Sequence, residues 1–256
     1  MPVAAGLYYF SYENEATNLP PILLIHGAGG SQLSWPPEIR RLLGYNVYAL
    51  DLPGHGKSDT FGEQTISAYA GHVLSWMEAV NHYRAVIIGH SMGGAIALHI
   101  AATRPARVAG LVLIGLGSPL EIPSDLIENL SNSATVSTAM NRIKALSFTP
   151  STSPRLIELV CRRLSQLRTS VLRGDFLACA RFDLESVLAN INQPTLILAG
   201  AQDQMTPLRY TQLLSKRIKG AEFHVIPEAG HLLMLEKPQE IIKPLRSFLL
   251  QHEFFL

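Results

Sequence analysis

Short, unbroken apolar runs recur along this chain and constrain its fold more than any other feature. Val86-Ile87-Ile88 and Leu111-Val112-Leu113-Ile114 do not alternate apolar with polar, as strands with one wet face would. A strand that is apolar throughout is covered on both faces, the condition inside a parallel sheet packed between helices. The full set of strand candidates is 7–12, 21–25, 46–50, 85–88, 108–114, 195–199 and 222–226. Helical patterns at 66–80, 92–103, 207–218 and 238–250 separate them, the last two opening on Pro207 and Pro238, a residue favoured at the first helical position. Such alternation implies an α/β chain with a mostly parallel central sheet and crossover helices on both faces.

The strand rhythm stops between about 118 and 190. That stretch turns helical, with Pro119, Pro123, Pro150 and Pro154 as breaks. Leu156, Val160, Leu164, Leu167 and Val171 recur at helical spacing, and Arg162, Arg163 and Arg168 are expected on a solvated face. The expected organisation is a core built from 1–117 and 191–256 with a helical cap inserted at 118–190.

Composition removes several function classes. With 21 basic and 20 acidic residues the net charge is +1, and no basic stripe points to nucleic acid. No apolar run nears the roughly 20 residues that a membrane span needs. Residues 1–6 carry neither a basic region nor a long apolar stretch of a leader, so a cytoplasmic location is expected. Cys161 and Cys179 are expected as free thiols, since a chain this long needs no disulfide staple. No metal-ligand spacing and no dinucleotide glycine fingerprint is present, so no cofactor is expected.

The most specific motif is Gly89-His90-Ser91-Met92-Gly93-Gly94, between the run 86–88 and the helix pattern that begins at Met92. A strand that turns abruptly into a helix can lift one side chain clear of the sheet. The positions two before and two after it must then be almost free of side chain, which Gly89 and Gly93 satisfy. Ser91 is therefore the candidate nucleophile, and the helix start behind it aims N–H groups at developing negative charge.

A serine hydroxyl needs a base. His231, in Pro227-Glu228-Ala229-Gly230-His231 just past a strand, is the expected base, and Asp203, past the strand at 195–199, the expected carboxylate that orients it. His26-Gly27-Ala28-Gly29-Gly30 supplies small residues after another strand. The backbone N–H groups of Ala28 and Met92 are the expected oxyanion donors, and His26 is expected to brace the loop.

Together with Asp51-Leu52-Pro53-Gly54-His55-Gly56-Lys57-Ser58, these segments resemble the α/β-hydrolase superfamily, specifically its small capped esterase, lactonase and carbon–carbon hydrolase branch. The resemblance covers about 7–250 and is weakest in the cap. It implies the α/β-hydrolase fold and assigns the 51–58 loop a bracing role. Relatives that displace at carbon carry Asp at the elbow, so Ser91 implies acyl transfer through an acyl-serine. Leu120, Met140, Phe148, Phe176, Leu232 and Met92 are the expected substrate-pocket walls. The expected activity is hydrolysis of small to medium carboxylic esters by a monomer or homodimer. The alternatives are a lactonase or carbon–carbon hydrolase with the same triad, and a hydrolase-fold ligand receptor.

Overall fold

The computed structural model describes residues 2–254 except 15–16, 59–60, 119, 184, 189–190 and 253. Its strands are β1 (Val3–Ala4), β2 (Leu7–Tyr12), β3 (Ile22–Ile25), β4 (Val47–Leu50), β5 (Ala85–His90), β6 (Val108–Ile114), β7 (Thr195–Gly200) and β8 (Glu222–Ile226). They form one sheet in the order β1-β2-β4-β3-β5-β6-β7-β8, antiparallel at the β1–β2 and β2–β4 pairs and parallel from β4 to β8.

Helices α1 (Pro37–Arg40), α2 (Ile66–Ala79) and α3 (Met92–Thr103) connect the first half of the sheet. Between β6 and β7 come α4 (Ser124–Asn129), α5 (Val136–Ser147), α6 (Pro154–Ser165), α7 (Thr169–Ala180) and α8 (Glu185–Leu188). Helices α9 (Leu208–Arg217), α10 (Leu233–Glu236) and α11 (Pro238–Gln251) complete the chain. The expected break at Pro119 and the expected boundary of the inserted segment at Asn190 lie outside the described residues.

The continuous apolar strands are explained by the two cores they serve. Leu23, Ile25, Ile87, Leu111, Leu113 and Ile197 point to one face and pack with α2, α3 and α9. Their neighbours Ile22, Leu24, Val86, Ile88, Val112 and Leu198 point to the other and pack with α1, α10 and α11. Successive residues of a strand face opposite ways, so a sheet with two dry faces leaves no position for a polar residue. The segment between β6 and β7 has its own small core, with Leu126, Leu130, Ala139, Ile143, Leu172 and Phe176 buried together.

Two local expectations need correction. Pro207 is the N-cap of α9 (φ −51°, ψ 141°) and stands outside the helix. The stripe from Leu156 to Val171 is not one helix, because Arg168 is extended (φ −60°, ψ 127°) and separates α6 from α7. Among the described residues no helix is long and apolar enough to cross a membrane.

Candidate functional site

Ser91 follows the last residue of β5 and precedes α3, with φ 50° and ψ −116°. An L-residue holds such a conformation only where surrounding structure compels it. The compulsion is close packing. A Cβ on Gly89 would collide with the Gly93 carbonyl, and one on Gly93 with the carbonyls of Ile25 and His26. The elbow thus presses directly onto the end of β3, and Ser91 is carried up to the cavity above the sheet.

Parallel pairing of β7 with β8 brings the loops beyond them together. The N–H groups of Ala201 and Gln202 donate to Ile226 and Ala229, and Gly200 leaves no room for a side chain against Ala229 and Gly230. Asp203 and His231 therefore meet, Nδ1 of His231 donating to Oδ2 of Asp203 at 2.9 Å. Oδ1 of Asp203 accepts the Thr206 N–H at 2.8 Å, which fixes the carboxylate. Since Nδ1 carries the proton, Nε2 is the basic nitrogen. Neither Nε2 of His231 nor Oγ of Ser91 has a hydrogen-bond partner among the described residues, and both residues line one cavity.

The remaining histidines here are structural. Nε2 of His90 donates to the His231 carbonyl at 2.9 Å and the two rings pack at 4.8 Å. Burial, reinforced by the nearby His231, pushes His90 down to about 3, so it is neutral. Nε2 of His26 accepts the Leu52 N–H at 3.1 Å and Nδ1 donates to the Gly27 carbonyl at 2.8 Å, the expected bracing role. Burial also holds His26 well below the ordinary histidine value. The 51–58 loop is braced by Asp51, whose carboxylate accepts the N–H groups of Gln32 and Lys57 at 2.6 and 2.9 Å.

The Gly27 carbonyl also accepts the Gly30 N–H at 3.0 Å. In a trans peptide N–H and C=O point opposite ways, so pinning this carbonyl turns the Ala28 N–H the other way. Neither that N–H nor the Met92 N–H has an acceptor among the described residues.

The cavity encloses about 100 Å³ and is walled by Leu120, Ile122, Ile143, Leu164, Phe176, Met205 and Leu232. Three expected walls are elsewhere. Met140 lies one turn before Ile143 on α5 and packs on the small core of the inserted segment. Phe148 follows α5 in extended conformation and is buried off the face that Ile143 and Ser147 present. The Met92 side chain is in the core beneath the elbow.

Arg163 departs from the expected solvated face. It borders the cavity and donates to the Leu33 carbonyl at 3.0 Å, with no carboxylate within ion-pair reach among the described residues. Arg162 and Arg168 are exposed as expected. Asp175 of α7, which no sequence motif marks, accepts the Gly29 N–H beside Ala28. The available signal was an acid on a helix face that continues apolar to Cys179, a position that needs buried partners.

The family model described as alpha/beta hydrolase fold matches residues 20–238. The chain therefore belongs to the α/β hydrolase fold family. It is 30% identical over 247 residues to the dihydrolipoyllysine-residue acetyltransferase component of the acetoin cleaving system of Pseudomonas putida, an alignment covering 91% of this chain and 64% of that protein's length. It is 28% identical over 243 residues to 3-oxoadipate enol-lactonase 1 of Acinetobacter baylyi, covering 92% of this chain and 90% of that one. Among solved structures, a thermophilic esterase from Thermogutta terrifontis superposes with a TM-score of 0.86 at 25% identity, over 96% of this chain and 93% of that one.

Proposed function

We propose that the protein hydrolyses carboxylic esters of small to medium acyl chains through an acyl-serine, with Ser91, His231 and Asp203 as the triad and the segment between β6 and β7 as a cap over the site. The observation that carries this reading is the meeting, in one apolar cavity, of a backbone-strained Ser91 and a His231 oriented by Asp203.

The steps follow from the atoms. Oγ of Ser91 adds to the ester carbonyl while Nε2 of His231 takes its proton. The carbonyl oxygen becomes an oxyanion that accepts the N–H groups of Ala28 and Met92. Collapse breaks the C–O bond, His231 returns the proton to the departing alcohol, and acyl-Ser91 remains. Water, deprotonated by His231, repeats the sequence and releases the acid. Asp203 keeps the proton on Nδ1 and stabilises the imidazolium formed twice per cycle. A cavity of about 100 Å³ is well below the several hundred Å³ of sites for larger ligands, which favours short acyl groups.

A second reading has one observation behind it. Arg163, which borders this mainly apolar cavity and has no carboxylate partner among the described residues, suits a substrate carrying a carboxylate, such as a lactone acid. Rates on p-nitrophenyl acetate, butyrate, octanoate and laurate, beside neutral and carboxylated lactones, separate the readings. Highest kcat/KM on acetate or butyrate supports the esterase. Failure on every p-nitrophenyl ester by folded protein, with turnover of a carboxylated lactone, replaces it with the second reading.

A further inference from the structure

Asp175 stands on α7 in the cap, and its side chain is wholly buried. A carboxylate withdrawn from water is costly unless its oxygens are satisfied by donors. Here Oδ1 accepts the Tyr69 hydroxyl at 2.5 Å, and Oδ2 accepts Nε2–H of His55 at 2.8 Å and the Gly29 N–H at 2.9 Å. All three donors belong to the core, so one cap side chain is tied to α2, to the 51–58 loop and to the 26–30 loop.

The pairing with His55 fixes the charge of this node. Nδ1 of His55 lies 2.9 Å from the Pro53 carbonyl, which can only accept, so that nitrogen carries a proton. Nε2 faces a carboxylate and carries the second. Burial pulls the His55 imidazole down, but Asp175, by its charge and its hydrogen bond, outweighs this and leaves it above the ordinary value. The node is an ion pair closed off from solvent.

Its position matters more than its strength. Ala28 stands between two peptide planes. The one before it is held through the Gly27 carbonyl, by Gly30 and His26. The one after it is held through the Gly29 N–H, and there the grip comes from Asp175. Gly29 sits at φ 68°, and the cap side chains Leu164 and Leu172 lie where its Cβ would be. The cap therefore closes directly onto the loop that presents the Ala28 N–H.

We propose that Asp175 is a positioning residue for transition-state stabilisation: through the Gly29 amide it holds the 27–30 loop so that the Ala28 N–H meets the oxyanion, and the oxyanion hole is complete only with the cap seated. This inference rests on the acyl-serine reading of Ser91.

Asp175→Asn tests it. Asn keeps the size but cannot accept from three donors or balance the His55 charge. Losing one oxyanion donor outright typically costs about 100- to 1000-fold in kcat, so a loosened donor is expected to cost about tenfold or more. KM for p-nitrophenyl butyrate is expected to hold within about threefold. The inhibition constant of an alkyl trifluoromethyl ketone, whose Ser91 adduct carries the same oxyanion, is expected to rise in proportion to the loss of kcat/KM. A lowered denaturation midpoint with unchanged kcat and inhibition constant would mean a purely structural bond and overturn the proposal.

Should Asp175→Asn fail to fold, Tyr69→Phe removes one donor and leaves Asp175 with Gly29 and His55. There kcat is expected to fall by about two- to fivefold with a proportional rise in the inhibition constant, because a positioning bond is lost while both oxyanion N–H groups remain. An unchanged kcat and inhibition constant overturns the proposal. Turnover that survives Ser91→Ala, or a parent protein inert on all these esters, overturns the acyl-serine reading and this inference with it. Full Ser91 dependence with an indifferent Asp175→Asn overturns this inference alone.

Discussion

Nδ1 of His231 and Oδ2 of Asp203 lie 2.9 Å apart, both side chains almost closed to solvent, although 28 residues separate them in sequence. The relationship is a product of sheet order. β7 and β8 are parallel neighbours, and a side chain just past the end of each has the other within reach.

Asp203→Asn should leave the fold intact and disable the base. An amide in place of the carboxylate would favour the wrong tautomer of His231 and leave the imidazolium without its counter-charge. The expected loss in kcat is about 10³- to 10⁴-fold, read on p-nitrophenyl butyrate, with little change in the circular dichroism spectrum. A loss under about tenfold would remove Asp203 from the proposed triad.

Ser91 holds a conformation that glycine adopts freely. Ser91→Gly and Ser91→Ala should both be inactive, but the Gly variant should be the more stable. Relief of strain worth about 1–3 kcal/mol outweighs glycine's extra chain entropy of about 1 kcal/mol. Denaturant midpoints of the two variants check this. An Ala variant equal to or above the Gly variant would mean the backbone there is unstrained.

Two glycines in helices should respond in opposite directions. A Cβ at Gly93 meets the backbone of Ile25 and His26, which cannot move aside, so Gly93→Ala should cost about 2 kcal/mol or more and impair turnover. Gly71, within α2, has nothing within 4 Å of its Cβ position. Gly71→Ala should stabilise by about 0.5–1 kcal/mol through helix propensity alone. Equal effects at the two sites, measured by urea denaturation, would contradict the packing at the elbow.

Acidification should destabilise the protein. His26 and His90 are held by burial below the ordinary value near 6.5, so the unfolded chain binds protons that the folded one refuses as pH falls through that value. Each costs about 1.4 kcal/mol per pH unit until its folded value is reached, about 3 for His90. His55 has the opposite sign, because its raised value gives stability that is full below about 6.5 and fades as pH rises through the folded value. Burial also lowers His82 and His99, which adds to the loss, while Asp51, raised by burial, opposes it as His55 does. With four groups against two, the denaturation midpoint should fall between pH 7 and pH 4. His90→Gln should flatten that slope, and an unchanged slope in the variant would mean His90 is not the neutral buried group.

Much of this was legible in residue order. Val86 to Ile88 and Leu111 to Ile114 announced strands dry on both faces, and Gly89 and Gly93 announced the turn around Ser91, because each is a local requirement of the backbone. The segment between β6 and β7 was less legible for the same reason. Met140 and Ile143 are both apolar residues of α5, and only the placement of α5 over the sheet puts Ile143 on the cavity and leaves Met140 beyond it. The node at Asp175 depends on partners 106, 120 and 146 residues away, so no local spacing could reveal it. Arg163 has the same local pattern as the exposed Arg162, and only the packing of α6 beside the cavity distinguishes them.

The most direct test of the central claim is covalent trapping at the elbow. The protein treated with an alkyl fluorophosphonate should lose esterase activity in step with incorporation of one phosphonyl group, and peptide mass spectrometry should place that group on Ser91. The same reagent should leave Ser91→Ala unlabelled and that variant should be inert on p-nitrophenyl butyrate. Labelling of a different residue, or ester turnover that persists in Ser91→Ala, would contradict the account.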